Sequence, residues 1–170
     1  MQFHFDIINS IFGNFFILDS KKGLHFLLKH NDKRVKDLIK KYTPSKGLYN
    51  KSIAISFVNL TLGKKIYPKF RIKFLNGTTF QKNVWNKLLK INTGKTVSYS
   101  ELANQTFFPK AIRAIASAVG KNPISVIVPC HRVIRKNGQL GGYAWGARMK
   151  SKLLDVEGRG MADSIYRGGK

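Results

Sequence analysis

The chain has 170 residues, 43% of them hydrophobic, and carries 31 Lys and Arg against 8 Asp and Glu, for a formal net charge of +23. This hydrophobic content excludes a disordered chain, and the length allows one or two domains with cores of their own. The charge predicts a polyanionic partner, nucleic acid first and an anionic membrane surface second. A general basic bias without a binding role would give the same total.

The cysteine content and the N-terminus suggest a compartment. One cysteine cannot form an internal disulfide, so the chain fits a reducing environment. The first residues lack the basic and apolar regions of a secretory signal, and no apolar run approaches the roughly 20 residues that cross a membrane. We expect a cytoplasmic protein without membrane association, nucleoid-associated in a prokaryote or nuclear in a eukaryote.

The first part of the chain has mostly strand patterns. Residues 3–30 predict strands, among them a hairpin with a glycine-bearing turn. Residues 32–42 predict a short amphipathic helix. Residues 53–60 and 66–74 predict further strands, the second at a sheet edge because it contains Pro68.

These elements predict an N-terminal α/β (α+β) scaffold domain with a small β-sheet over residues 1–78. Histidines occur in this part but cysteine does not, so a zinc site built from Cys and His is not available. We expect no metal site.

After a turn at residues 75–78 the pattern becomes helical. The change predicts a mainly helical C-terminal domain over residues 79–158, followed by a flexible tail over residues 159–170. Thr79 is the predicted N-cap of the first helix of this domain.

Two short helices in this domain have the features of a helix-turn-helix. Ser98 and Glu101 have the spacing of a capping box that begins the first helix. Pro109 suits the first turn of a second helix over residues 110–119. The second helix is rich in Ala, so it could approach a groove closely. Arg113 is the long charged residue at its middle, and a solvated position is the alternative.

The only cysteine follows an apolar, β-branched run. Residues 124–128 predict a buried strand that ends at Pro129. A thiol at such a place is either inert packing or a nucleophile, and a nucleophile needs a base and a group that orients the base. His131 is adjacent, and Glu157 lies near the end of a helix predicted over residues 148–157.

A relay of Cys130, His131 and Glu157 is one interpretation of this spacing, with Asn122 holding the turn by a hydrogen bond. A buried structural cysteine is the other. The residues alone leave the two interpretations open.

Several motifs at consistent spacing resemble the signature of the O6-alkylguanine-DNA alkyltransferases, which are single-use methylated-DNA–protein-cysteine methyltransferases. The motifs are Asn122-Pro123, Val128-Pro129-Cys130-His131-Arg132-Val133, Gly141-Gly142-Tyr143, Leu153-Leu154 and Glu157-Gly158. The similarity extends upstream through Val97-Ser98-Tyr99 and covers residues 79–158. The N-terminal part is similar to the family only loosely.

The resemblance implies catalytic roles for the residues that match. Cys130 would accept the alkyl group and keep it as a thioether. His131, acting through water and oriented by Glu157, would deprotonate the thiol, and Asn122 would brace the turn. No cofactor is implied.

The resemblance also implies a substrate pocket. Tyr99 would donate to N3 of the base, the carbonyls of Cys130 and Val133 would accept from its exocyclic amine, and the backbone N–H of Ala144 would donate to O6. Tyr143 and Trp145 come from the same glycine-rich loop as Ala144, and the bulk of Trp145 predicts a pocket that restricts large adducts.

The implied partner is double-stranded DNA that contains alkylated bases. A base must leave the stack before chemistry on it is possible, and Arg113 would fill the gap while the slim second helix lies in the minor groove. The predicted DNA-binding residues are Ser100, Lys110, Ala111, Arg113, Ala114 and Lys136. The resemblance implies a monomer that acts largely independently of sequence on O6-alkylguanine and on O4-alkylthymine.

The chain departs from the family pattern in the helix-turn-helix. The glycine that is frequent in the turn is absent, and Phe107-Phe108-Pro109 stands there. Three other functions stay open: a lesion sensor of the same fold, which would lack the reactive cysteine; a cysteine hydrolase, which would turn over many times; and a helix-turn-helix regulator, which would bind DNA selectively without alkyl transfer.

Overall fold

The computed structural model describes residues 1–64 and 69–158. The described chain divides into two compact units. Unit 1 consists of Met1–Asn76 and Pro123–Ile127, and unit 2 consists of Gly77–Asn122 and the described residues from Val128 onward. Pro68 and the predicted tail lie outside the described residues. Within the described ranges, no helix is both long and apolar enough to cross a bilayer.

Unit 1 is built on a four-stranded sheet. Strands β1 (Phe3–Ser10), β2 (Gly13–Ser20) and β3 (Gly23–Lys29) form an antiparallel meander, and the short β4 (Ser45–Lys46) pairs parallel with β1. The strand order is β3-β2-β1-β4. The prediction of strands over residues 3–30 is therefore confirmed.

Both faces of β2 are buried, because a helix covers each side. Helix α1 (Arg34–Tyr42) confirms the predicted amphipathic helix, and its Val35 packs in one core cluster with Phe16 of β2. Helix α2 (Ser52–Thr61) buries Phe57, whose ring centroid lies 4.8 Å from that of Phe15. Consecutive strand residues point to opposite faces, so Phe15 and Phe16 contribute to different cores.

Helix α2 corrects the strand predicted over residues 53–60. A mostly apolar segment is compatible with a buried helix as well as with a strand, and here tertiary contacts decide. The buried Asp19 accepts hydrogen bonds from the backbone N–H groups of Tyr49 (3.1 Å) and Asn50 (2.8 Å). The Asn50 side chain in turn accepts from the N–H of Ser52 at 3.0 Å, at the first residue of the helix.

The described part of the second predicted strand, residues 69–74, is mostly irregular. Ile72 forms an isolated parallel bridge with Leu24 at the beginning of β3. Gly23 has a φ of +122°, and a Cβ there would lie 2.2 Å from the carbonyl oxygen of Arg71. The close approach of these two backbones therefore requires glycine.

Unit 2 is mainly helical, which confirms the predicted fold class. Its helices are α3 (Thr79–Leu88), α4 (Tyr99–Gln105), α5 (Ile112–Gly120) and α6 (Ala147–Val156), and Val97–Ser98 (β5) pairs parallel with Val133–Ile134 (β6). The buried Trp85 of α3 donates its indole N–H to the carbonyl of Ala118 in α5 at 2.8 Å. Thr78, one residue earlier than predicted, caps α3 in a capping box with Gln81.

The two short helices of the predicted helix-turn-helix are α4 and α5. Ser98 and Glu101 form the predicted capping box, with the Ser98 N–H donating to the Glu101 carboxylate at 2.6 Å. The second helix begins at Ile112, not at residue 110, so Pro109 lies in the preceding turn and not in the first helical turn. Proline has no backbone N–H to pair, so it is suited both to a turn and to the first turn of a helix.

Helix α4 ends in a Schellman motif. The N–H of Phe108 donates to the carbonyl of Ala103 at 3.1 Å, and the N–H of Phe107 donates to the carbonyl of Asn104 at 3.1 Å. Phe107 takes the left-handed position of this motif, with a φ of +64°. Glycine is the usual residue there because it lacks a Cβ.

The strand predicted over residues 124–128 is wrong. Only Ile124 makes a β-bridge, to Leu27, and the chain then turns. Val126 has a φ of +68°, and the N–H of Ile127 donates to the carbonyl of Ser125 at 2.8 Å. The segment is buried, which explains its composition, but its apolar run could not reveal a backbone conformation that β-branched residues rarely adopt.

Candidate active site

The thiol lies on a tight turn. Pro129 has φ −83° and ψ +66°, and the N–H of Cys130 donates to the carbonyl of Val128 at 2.8 Å, which together make an inverse γ-turn. Cys130 then begins a single 3₁₀ turn, Cys130–Arg132, and is buried. This departure from extended geometry removes the constraint that adjacent strand residues face opposite sides.

Asn122 holds the beginning of this turn. Its side-chain amide donates to the carbonyl of Val128 at 2.8 Å. Unit 2 is interrupted between these two residues, so the hydrogen bond joins the ends of its two segments. Burial raises the pKa of the Cys130 thiol, while the hydrogen bond from Asn122 and the positive charge of Lys150 act in the opposite direction. Both partners therefore lower the thiol pKa relative to the pKa that burial alone would give, which favours the thiolate.

His131 and Glu157 form a buried pair. The ring nitrogen Nε2 of His131 lies 2.7 Å from Oε1 of Glu157. Burial lowers the pKa of His131 although Glu157 raises it, so the ring is neutral near pH 7 and donates Nε2–H to the carboxylate. Nδ1 is buried and has no hydrogen-bond partner among the described residues. It therefore carries the lone pair that a general base requires.

Arg132 keeps Glu157 ionised. Its guanidinium donates to both carboxylate oxygens, with Nε 3.0 Å from Oε2 and Nη2 2.8 Å from Oε1, and further donates to the carbonyl of Ile91. Burial acts to raise the pKa of Glu157, but the hydrogen bonds from His131 and Arg132 outweigh it and lower the pKa to about 2. A bidentate guanidinium satisfies the remaining lone pairs of a buried carboxylate.

Lys150 is a second buried cation. Its ammonium donates to the carbonyls of Val133 and Leu140, both at 2.5 Å, and to that of Gly142 at 3.3 Å. Burial lowers its pKa to about 8, and the charge of Cys130 acts to raise it. Three carbonyls match the three ammonium hydrogens, so Lys150 joins the chain after the cysteine turn to the glycine-rich loop.

The glycine-rich loop lies against Tyr99. Gly141 has a φ of +71°, and a Cβ there would lie 3.3 Å from Cε2 of Tyr99. Burial raises the pKa of the Tyr99 hydroxyl, and so does the charge of Cys130. The phenol therefore stays protonated and can donate a hydrogen bond.

Two aromatic residues of the same loop pack together. The rings of Tyr143 and Trp145 meet edge to face, with centroids 5.7 Å apart, and Ala144 between them is exposed. The hydroxyl oxygen of Tyr143 is buried without a hydrogen-bond partner in the described structure. Burial raises the pKa of Tyr143 well above its ordinary range, with the charges of Cys130 and Glu157 adding to the effect.

Helix α5 has one buried side and one open side. Ile115, Ala118 and Val119 are buried, whereas Arg113 and Ala114 are exposed. Lys110 and Lys136 are also exposed, Ala111 is half-buried before the first residue of the helix, and the hydroxyl of Ser100 lies 3.0 Å from that of Ser98. The exposed side of α5 therefore carries Arg113 beside small residues, and Arg and Lys are side chains that contact DNA phosphates.

The structure brings Cys130, His131, Glu157, Asn122 and Tyr99 into one electrostatic neighbourhood. Sequence reasoning assigned no role to Arg132 or Lys150. Arg132 follows His131 directly in the motif Val128–Val133, and this position could have indicated a role in the site. Lys150 lies in a helix with other basic residues, and nothing in its local pattern distinguishes the buried one. No group of metal-ligating side chains occurs in the ranges that the structure describes.

Comparisons with known proteins agree with this geometry. Residues 79–159 match the family model described as the 6-O-methylguanine DNA methyltransferase DNA binding domain. An inducible methylated-DNA–protein-cysteine methyltransferase of Bacillus subtilis is 39% identical over 88% of this chain and 87% of its own length. A Methanosarcina mazei methylated-DNA–protein-cysteine methyltransferase is 36% identical over 91% and 96%. The structure of the Mycobacterium tuberculosis O6-methylguanine methyltransferase is 33% identical, covers 97% and 99% of the two chains, and gives a TM-score of 0.79.

Proposed function

The chain belongs to the methylated-DNA–protein-cysteine methyltransferases, and from this premise we propose which of its residues carry the reaction. The protein transfers the methyl group of O6-methylguanine in DNA to an active cysteine. Cys130 is the acceptor, because it is the only cysteine in the chain and lies beside the His131–Glu157 pair. Residues 79–158 form the alkyltransferase domain.

The reaction begins with loss of the thiol proton. A water molecule between the Cys130 sulfur and Nδ1 of His131 passes the proton to the imidazole, and Glu157 stabilises the imidazolium that forms. Asn122 and Lys150 stabilise the thiolate. The observation that supports this path most directly is a buried histidine with one nitrogen on an ionised carboxylate and the other available to accept.

The thiolate then attacks the methyl carbon. The new S–C bond forms as the C–O6 bond breaks, and the electron pair returns to the purine. The Tyr99 hydroxyl donates to N3 and so stabilises the leaving guanine, while the carbonyls of Cys130 and Val133 and the N–H of Ala144 bind its edge. The thioether is stable, so each molecule reacts once. O4-alkylthymine presents the same alkyl-oxygen chemistry and is a second substrate.

The DNA partner is a duplex, bound by the exposed side of α5 in the minor groove and largely independently of sequence. Arg113 occupies the space of the extruded nucleotide, and Ser100, Lys110, Ala111, Ala114 and Lys136 contact the backbone. The M. tuberculosis relative has been crystallised in complex with DNA, at 33% identity and a TM-score of 0.79. The protein acts as a monomer.

Mass spectrometry tests the acceptor. After incubation with a duplex that contains O6-methylguanine, the peptide with Cys130 gains the mass of one methylene group, and a Cys130→Ser protein gains nothing. Label on the Cys130→Ser protein would refute the assignment. Release of methanol over many cycles would instead identify a cysteine hydrolase.

A duplex-specific variant tests the role of Arg113. We expect Arg113→Ala to slow transfer from duplex DNA by about tenfold or more while reaction with free O6-benzylguanine changes little, because the free base needs no extrusion. Equal losses on both substrates would contradict the flipping role.

A further inference from the structure

The turn between α4 and α5 exposes an apolar surface. Phe107 is 82% exposed, Phe108 47% and Ile112 43%. We call these three residues the turn patch. Ile112 is the first residue of α5, so the turn patch is continuous with the helix that we assign to the groove.

The fold does not explain Phe107. Its φ of +64° places a bulky side chain in the left-handed region, at the Schellman position where glycine is free of strain. Its ring is largely outside the core, so burial does not offset the strain. An aromatic residue that the fold disfavours at an exposed position indicates a contact outside the chain.

The surroundings of the turn patch are cationic. The ammonium of Lys87 lies 5.4 Å from the centroid of the Phe107 ring, and Lys110 is exposed three residues further along the chain. The sequence contains neither Asp nor Glu between Glu101 and Asp155. A second copy of this chain, at +23, would be repelled, whereas a polyanion would be attracted.

We propose that the turn patch is a contact surface for the backbone of duplex DNA beside the groove that α5 occupies. Phe107 and Phe108 pack against deoxyribose faces, and Lys87 and Lys110 bind the adjacent phosphates. The proposal rests on the proposed function. It adds an apolar contribution to affinity that, unlike phosphate contacts, is not weakened by salt.

A salt series separates the two contributions. We measure the affinity of the full-length protein for a labelled, undamaged duplex by fluorescence anisotropy. Phe107→Gly and Phe107→Asn, both of which tolerate the left-handed position, should raise Kd about five- to tenfold at each salt concentration and leave the slope of log K against log salt unchanged. Lys110→Ala should instead reduce that slope by about one.

Two controls exclude indirect effects. Ile55→Ala removes an apolar side chain of α2 that is 63% exposed, and it should leave the affinity unchanged. Phe107→Gly should melt at or above the wild-type temperature, because it relieves the strain. Weaker binding at an equal or higher melting temperature cannot come from partial unfolding.

Three results would overturn the proposal. The first is wild-type affinity in both Phe107 variants, and the second is a fall in their salt slope equal to that of Lys110→Ala. The third is sedimentation that shows self-association without DNA in the wild type and not in the variants, which would assign the surface to a second copy. Methyl uptake by the wild-type protein tests the proposed function separately, so uptake together with any of these results refutes only the turn patch.

Discussion

Two buried histidines, one in each unit, show how the same side chain serves different purposes. His25 in β3 has both nitrogens paired: Nδ1 lies 2.9 Å from the carbonyl of Lys73, and Nε2 lies 2.8 Å from the hydroxyl of Ser20. His131 pairs one nitrogen with Glu157 and leaves the other without a partner among the described residues. Burial lowers the pKa of both.

The difference lies in the partners and not in the burial. His25 faces a carbonyl and a hydroxyl, so both nitrogens of its neutral form are hydrogen-bonded and neither has a lone pair free to accept a proton. His131 faces an ionised carboxylate that can stabilise a positive ring, and it retains a free lone pair. A histidine with both ring nitrogens hydrogen-bonded contributes to stability. A histidine with one nitrogen bonded to a carboxylate and the other unpaired can accept a proton and keep it.

The largest expected difference between the two histidines is in the rate of the reaction. We expect His131→Gln to slow single-turnover methyl transfer from duplex DNA by about 10²- to 10⁴-fold, because the general base is lost. His25→Gln should leave the rate within about twofold. Rapid-quench measurements at saturating protein give both rates. Similar rates for the two variants would remove the distinction.

Acid unfolding tests the carboxylate partner of His131. The folded pKa of Glu157 is lowered from 4.5 to about 2, so this group stabilises the fold above pH 4.5 and that contribution is lost as the pH falls toward 2. The shift corresponds to about 3 kcal/mol. Urea titrations should show this pH dependence in the wild type and not in Glu157→Gln. At pH 7 that variant should be less stable by about 3–5 kcal/mol, because Arg132 stays buried without its anion.

Lys150 makes the surroundings of His131 and Cys130 differ further from those of His25. Lys150→Met removes the buried cation near the thiol, so we expect the thiol pKa to rise and transfer at pH 7 to slow about tenfold. Thiolate absorbance during a pH titration measures the first effect. Lys152→Met, an exposed lysine of the same helix, is the matched control. An unchanged thiol pKa in Lys150→Met would show that this lysine only holds the loop.

The smallest expected effect concerns the protonation of His25. Its pKa is lowered by burial, so below pH 6.5 the unfolded chain takes up a proton that the folded protein does not. The free energy of unfolding therefore decreases as the pH is lowered through that range. The contribution is at most about 1.4 kcal/mol per pH unit. Chemical unfolding between pH 7 and 5 should show a shallower dependence in His25→Gln than in the wild type. An equal dependence would mean that His25 is protonated in the fold.

Local signals in the sequence predicted much of the architecture. The capping box of Ser98 and Glu101, the hairpin before residue 30 and the amphipathic helix after it depend on contacts within a few residues, and each is present. The predictions for residues 53–60 and 124–128 were wrong because both segments are mostly apolar, and such composition does not distinguish a strand from another buried conformation. Their conformation depends on Asp19 in one case and on the turn at Val126 in the other.

The sequence by itself determined which residue types are available for chemistry: one thiol, an adjacent imidazole and few carboxylates. The tertiary structure alone decided which of them meet, because Glu157 and Arg132 approach across 25 residues, and because the buried Lys150 is held by backbone carbonyls outside its own helix. Electrostatic environment is a property of all surrounding atoms, and no local pattern in a chain encodes it.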